Sequence, residues 1–295
     1  MSRNLPDDPA SRLRGYVMMT CGVFCFGLLD VMAKVLTENY EIGQIVWVRN
    51  VGGLLFALAL CLPKRGLAVF RSRQRGLQTA RGLLLVGTTA LNFLALSYLP
   101  LATNAAILYT APLFICALSV PILGETVGWR RWTAIAIGFL GAMIVVRPGL
   151  GGFHWAMLIS LTAALMVAFY NMATRQAARQ DDHFTSLMYV SVVGTLAATP
   201  FAFLEWRTPT GWDILLFCAL GLVGSFGHFL LIMAHGLAPA SALAPFVYTQ
   251  IIWMAGMGYL IFDHLPDQWV WIGAAVVSGS GLYLGYRERK VKGLP

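Results

Sequence analysis

The chain has 295 residues, of which 58% are hydrophobic and only 12% charged. Soluble domains carry about 25% charged residues, so this composition excludes an ordinary soluble protein and reads as a helical protein lying almost wholly in a bilayer. The net charge of +8 would point to nucleic acid in a soluble protein; here, sorting of basic residues across a membrane accounts for most of it, and no nucleic-acid partner is expected.

The start is polar, with Arg3, Asp7, Asp8, Arg12 and Arg14, and the apolar run after it is too long for a cleavable signal peptide. Apolar spans are predicted at about 15–36, 42–62, 77–98, 101–122, 131–148, 153–174, 185–205, 212–235, 240–262 and 267–286, most near the roughly 20 residues that cross a hydrocarbon core. The expected fold is an all-α polytopic membrane protein of ten transmembrane helices.

Basic residues orient it. With a cytoplasmic N-terminus, 17 of the 21 Lys and Arg fall in inner segments and two, Arg147 and Arg207, in outer ones. Lys34 and Arg49 lie within spans. Both termini are therefore expected in the cytoplasm, in the inner membrane of a bacterium. Trp155, Trp206, Trp212, Trp269 and Trp271 fall near span ends, where indoles favour the interface.

Five spans per half is an odd number, so a second five-span copy enters the membrane from the opposite side. The expected organisation is residues 1–150 as a first inverted repeat and 151–295 as a second, the architecture of secondary transporters in which the halves rock about a midplane site. A shift of 139 residues sets Pro100 on Pro239, Ala105 on Ala244, Tyr109 on Tyr248, Thr110 on Thr249, Ile122 on Ile261 and Trp132 on Trp271 without a gap. A shift of 140 sets Met32-Ala33 on Met172-Ala173.

Several residues carry a family likeness: Lys34 late in span one, Arg49 early in span two, and the run Ala102-Thr103-Asn104-Ala105-Ala106 leading to Tyr109 and Pro112. Gly124-Glu125 and the pair Gly138 and Gly141 complete it. With these the whole chain resembles the EamA type of the drug/metabolite transporter superfamily, and within it the amino-acid exporters, including the aromatic amino-acid and paraquat exporter branch. The second half departs from the pattern: Asp263-His264 replaces Gly-Glu, and the glycine pair is displaced to Gly279 and Gly281. The resemblance implies a carrier that exports amino acids, aromatic ones preferred, by alternating access. A broad drug or cation exporter and a non-transport scaffold are the alternatives.

Asp30, Lys34 and Arg49 are the fixed charges inside the spans, each costing about 2.5–3.5 kcal/mol at mid-helix. At 1.5 Å per residue, Asp30 lies about 22 Å from the inner end of span one and Lys34 about 28 Å. Arg49 lies about 10 Å below the outer end of span two, close to the level of Asp30. Two readings of this trio stand. It meets substrate charge or carries a coupling proton, or it is an ion pair latching spans one and two, with Lys34 snorkelling outward.

Tyr109 and Tyr248 fall near the midplane from opposite faces, with Pro112 and Pro245 within a turn of them; helices interrupted at matching positions point to a transporter site. Thr110, Thr249, Gln250 and Trp253 stand beside them, and Asn92, Asn171 and His228 come from spans three, six and eight. A pocket of amides and aromatic rings suits amphiphilic organic solutes, and too few buried Arg or Lys are present for phosphorylated ones. Each residue also has a packing role open to it, as a helix–helix hydrogen-bond partner or a buried ring.

The five cysteines form no C-x-x-C pair, so no metal or cofactor is expected. Neither a G-x-x-x-x-G-K-[ST] loop nor G-x-S-x-G nor H-E-x-x-H occurs, so the chain reads as a non-enzyme. The expected partners are a small-molecule substrate and the lipid bilayer, with the protein a monomer or homodimer.

Overall fold

A computed structural model describes residues 9–123, 128–147, 153–177, 180–237, 243 and 246–292. Gly124, Glu125, Pro239, Ala244 and Pro245, named above, lie outside the described residues. The described helices are α1 (Pro9–Leu36), α2 (Ile42–Arg65), α3 (Arg75–Tyr98), α4 (Leu101–Leu108), α5 (Ala111–Leu123) and α6 (Trp129–Val146) in the first half. The second half has α7 (Ala156–Ala177), α8 (His183–Ala202), α9 (Trp212–Leu237), α10 (Thr249–Phe262) and α11 (Gln268–Lys292). No strand occurs among the described residues. Taking α4 and α5 as one interrupted span, this is the all-α, ten-span fold expected, built as two inverted five-helix repeats.

Helix ends follow local chemistry. α2 closes on Gly66 at φ 56°, where a glycine avoids the Cβ clash, with Lys64 and Arg65 in its last turn facing the negative end of the helix dipole. α8 opens on Asp182, whose side chain accepts from the Thr185 N–H at 2.7 Å. The five indoles expected near span ends are all exposed, between 39% and 78%.

The described chain forms two compact units, and neither is a sequence half. One comprises residues 1–31, 100–154 and 226–295; the other comprises residues 32–99 and 155–225. Helices of the two repeats interleave within each unit.

In the first unit α6 packs on α11, and the repeat symmetry is visible in their contacts. Ala134 and Gly141 fall on Gly273 and Ser280 under the 139-residue shift. The Ser280 hydroxyl donates to the Ala134 carbonyl, and a Cβ placed on Gly273 would come within 2.6 Å of the Gly141 carbonyl. Residue 134 thus meets the counterpart of 141, and 141 meets the counterpart of 134, as a two-fold axis requires. α4 runs through this unit buried on all sides, Leu101 to Ile107 without exception. α1 reaches α10 closely through Gly27, where a Cβ would lie 2.6 Å from the Met257 methyl.

In the second unit α2 packs on α8, and α3 on α7 and α8. Two polar clusters tie it, one near each end. In one, Gln44 donates to the Arg207 carbonyl at 2.7 Å and Tyr40 donates to Asp213 at 2.7 Å. In the other, Asp181 accepts from Ser72 Oγ at 2.5 Å, Gln78 Nε2 at 2.8 Å and the Arg73 N–H at 3.0 Å. Gln78 in turn accepts from Arg81, whose Nε donates to Thr174 at 3.0 Å and whose guanidinium lies 5.5 Å from the Tyr170 ring. Arg81 therefore differs from the loop cations around it. It is only 3% exposed and fastens α3 to α7.

Burial raises the Asp181 pKa, but the hydrogen bonds from Gln78, Ser72 and Arg73 outweigh it and hold the carboxyl below its ordinary value. A depressed folded-state pKa gives stability that is fully present above the unfolded value, about 3.9, and is lost as pH falls through the folded one. The thermal midpoint in detergent is expected to drop below about pH 4. In Asp181→Asn the midpoint is lower at neutral pH and flatter on acidification. A wild-type slope retained in the variant would assign the acid sensitivity to other groups.

Candidate solute site at the interrupted helices

The sequence places a tyrosine and a threonine where each interrupted helix turns. α4 stops at Leu108, Tyr109 caps it with its N–H on the Ala105 carbonyl, and α5 begins at Ala111. Pro112 supports the break, since its ring admits a first-turn position but no mid-helix hydrogen bond. At the other break Tyr248 is the residue preceding α10. The two threonines then act alike: Thr110 Oγ1 donates to the Ile107 carbonyl at 2.7 Å, and Thr249 Oγ1 to the Phe246 carbonyl at 2.6 Å. Donor and acceptor both correspond under the 139-residue shift. Thr110 is fully buried and its hydroxyl is spent on this turn, so it shapes the break.

Around the breaks, one chain of polar groups forms inside the first unit. Tyr109 Oη donates to Gln250 Oε1 at 2.6 Å. Gln250 Nε2 lies 3.4 Å from Asp30 Oδ2, a long bond to a carboxylate that is 5% exposed. The Tyr109 and Tyr248 rings tilt together with centroids 5.4 Å apart, and the Tyr248 hydroxyl reaches the backbone of α11 at Gly281. The Gln250 amide holds Tyr109 on its oxygen and the acid on its nitrogen. That arrangement fixes its orientation and presents a buried carboxylate beside an aromatic pair.

Aromatic neighbours extend the surface. Trp253, one turn beyond Gln250, meets Phe24 edge-on at 5.2 Å, and His228 meets Phe26 edge-on at 4.8 Å. Tyr16 stacks on Phe246 at 4.8 Å. The sequence reading named none of these three phenylalanines, nor Tyr16, although Phe24 and Phe26 flank the small residues by which α1 approaches its neighbours. Nor did it single out Asn104 as a site residue; it is fully buried on α4.

The remaining expected residues belong to the other unit. Asn92 is half-buried on α3. Asn171 is exposed on α7, with its amide donating to the Val167 carbonyl at 2.8 Å. Arg49 is half-buried on α2. Lys34 is turned neither outward to an interface nor into open space: its ammonium donates to the Leu96 and Leu99 carbonyls at 2.6 and 2.8 Å. Of the charged trio, Asp30 belongs to the first unit, and Lys34 and Arg49 to the second.

A family model described as the EamA-like transporter family matches residues 13–147 and again residues 154–285. The chain belongs to the EamA-like transporter family. A solved crystal structure shares the fold of this transporter at TM-score 0.64 and 18% identity, over 94% of this chain and 98% of that one. Among curated relatives, an S-adenosylmethionine uptake transporter of Rickettsia prowazekii is 27% identical over 282 residues, 94% of each chain. A riboflavin transporter of Vibrio cholerae is 31% identical over 226 residues, 75% of this chain and 74% of its own. A pseudopaline exporter of Pseudomonas aeruginosa is 24% identical over 267 residues, 89% of this chain and 93% of that one. These relatives of the EamA-like transporter carry different small molecules, and both uptake and export occur among them.

Proposed function

We propose that this EamA-like transporter is a secondary-active or facilitative carrier of amino-acid-type solutes that bear a flat ring and an ammonium or other cationic group. Aromatic amino acids and S-adenosylmethionine-like compounds fall in that class. The observation that carries the reading is the buried Asp30 carboxylate, oriented through Gln250 and Tyr109 beside the Tyr109–Tyr248 ring pair at the interrupted helices. A carboxylate out of water attracts an ammonium or sulfonium strongly, and tilted rings offer a face to stack on. A tripartite solute (ring, cation and carboxylate) matches the amino-acid export expected from the sequence and the compound named for the rickettsial relative.

In this reading the carrier spans a bacterial inner membrane with both termini in the cytoplasm, as its basic residues distribute. Each compact unit is fastened across both halves of the sequence, so any body that moves in the cycle contains helices of both repeats.

The test is counterflow in proteoliposomes with labelled phenylalanine, tryptophan, S-adenosylmethionine and riboflavin. The ammonium-bearing compounds are expected to accumulate against empty-vesicle controls. Movement of riboflavin alone would replace this reading with that of a neutral-ring carrier.

A further inference from the structure

Lys34 is a charged residue within a span that the solute site leaves unused. It sits one turn beyond Asp30 on α1, half-buried, and its ammonium donates to the carbonyls of Leu96 and Leu99. Those carbonyls close the last turn of α3. The final carbonyls of a helix have no intrahelical donor, and here Leu96 is fully buried, Leu99 is 2% exposed and Leu101 is 1% exposed. Water has little access to this corner. The next residue is Pro100, which has no N–H to offer. The Leu99 N–H is itself taken by the Ala95 carbonyl at 2.8 Å.

We infer that Lys34 is a positioning residue for transport, a side-chain cap on the end of α3 that sets the start of α4 and so the reach of Tyr109 to Gln250. This rests on the reading that the Asp30–Gln250–Tyr109 chain meets the solute. The place of the clip supports it. The chain passes from one compact unit to the other between Val31 and Met32, and again between Leu99 and Pro100. Within the second unit, Lys34, two residues after the first crossing, holds Leu99 at the second crossing and Leu96 three residues before it. Asp30 stands on the same helix before the first crossing, and α4 begins just after the second, only eight residues long and buried from Leu101 to Ile107. A solute that pulls on Asp30 therefore pulls on the helix that Lys34 fastens to the end of α3, the segment from which the chain runs through Pro100 into α4. The ammonium acts on backbone, leaving the solute's own charge to other groups.

Transport kinetics of Lys34→Met and Lys34→Arg separate this from a role in binding solute. The probes are phenylalanine and phenylethylamine, which differ by the carboxylate that a substrate-binding lysine would meet. Lys34→Met is expected to lower Vmax about tenfold for both, with KM within about twofold of wild type, the loss of one charge-assisted cap being worth that factor. Lys34→Arg is expected to recover most of the rate, since its fork can reach two carbonyls. A rise in KM for phenylalanine alone would overturn the inference and make Lys34 a carboxylate ligand, and an unchanged Vmax would also overturn it.

Hydrogen exchange supplies the measurement that needs no substrate. The Leu99, Leu101 and Ala102 amides of Lys34→Met should exchange at least tenfold faster than in wild type or Lys34→Arg. Unchanged exchange in Lys34→Met contradicts the cap. If wild type moves neither probe while this exchange difference is present, the cap stands and the solute reading fails. If Lys34→Met does not reach the membrane, Lys34→Gln, with two N–H donors on a shorter stem, is compared instead on both measurements.

Discussion

Asp30→Asn is expected to raise KM about tenfold to a hundredfold for ammonium-bearing solutes and to leave riboflavin, if it is carried at all, unaffected. Asparagine keeps the size of the side chain and can still accept from Gln250 Nε2, so the first unit should fold as before. What it removes is the charge. A hydrogen bond to a charged group contributes about 1.5–3 kcal/mol, and each 1.4 kcal/mol is about a factor of ten in affinity. Initial rates of uptake into proteoliposomes, with phenylalanine and riboflavin measured side by side, read the difference. Equal losses for both solutes would make Asp30 a structural partner of Gln250.

Gly273→Val is expected to abolish folding or to lower the thermal midpoint more than any substitution on the open face of α11. The added Cβ would come within 2.6 Å of the Gly141 carbonyl and 3.2 Å of the Val145 N–H, both backbone atoms that cannot turn aside. Forced separation of two packed helices costs about 1–3 kcal/mol from overpacking, and here it would also strain the Ser280 bond to Ala134. The control is Gly279→Ala on the same helix, where nothing lies within 4 Å of the added methyl; it should match wild type in yield and midpoint. Size-exclusion profiles and midpoints in detergent decide it. A stable Gly273→Val with normal profile would mean that α6 and α11 do not pack through this face.

These two positions also mark what the sequence made legible. The ten spans, the inverted repeat and the break at Tyr109 could be read because length, parity and proline placement report backbone behaviour directly. The 139-residue shift matched Tyr109 with Tyr248, and the same shift describes the turn bonds of Thr110 and Thr249. Asp30 could be singled out by its cost in a span.

The partners of the charges could not be read, because they depend on which neighbouring helix end comes within reach. Lys34 meets carbonyls more than sixty residues away in sequence, and a backbone acceptor leaves no residue type to search for. Arg81 falls near the inner end of predicted span three, but nothing in the sequence shows that it lies buried against Thr174 and Tyr170. Of the second-half glycines, Gly279 has open space around it, whereas a Cβ on Gly281 would run into the Tyr248 hydroxyl and one on Gly273 would come within 2.6 Å of the Gly141 carbonyl. Compact units that interleave the repeats were equally beyond a linear reading, since halves in sequence need not be bodies in space.

The central claim is that solute occupies the surface around Asp30, Gln250 and the tyrosine pair, and protection of a thiol introduced by Trp253→Cys tests it most directly. Trp253 lies one turn from Gln250 and is 37% exposed, so a membrane-permeant thiol reagent can reach the position. With the five native cysteines replaced and transport retained, a carried solute at ten times its Kd should slow labelling about tenfold, as simple occupancy requires. Labelling that proceeds at the same rate with saturating solute, in a variant that still transports it, would contradict the account.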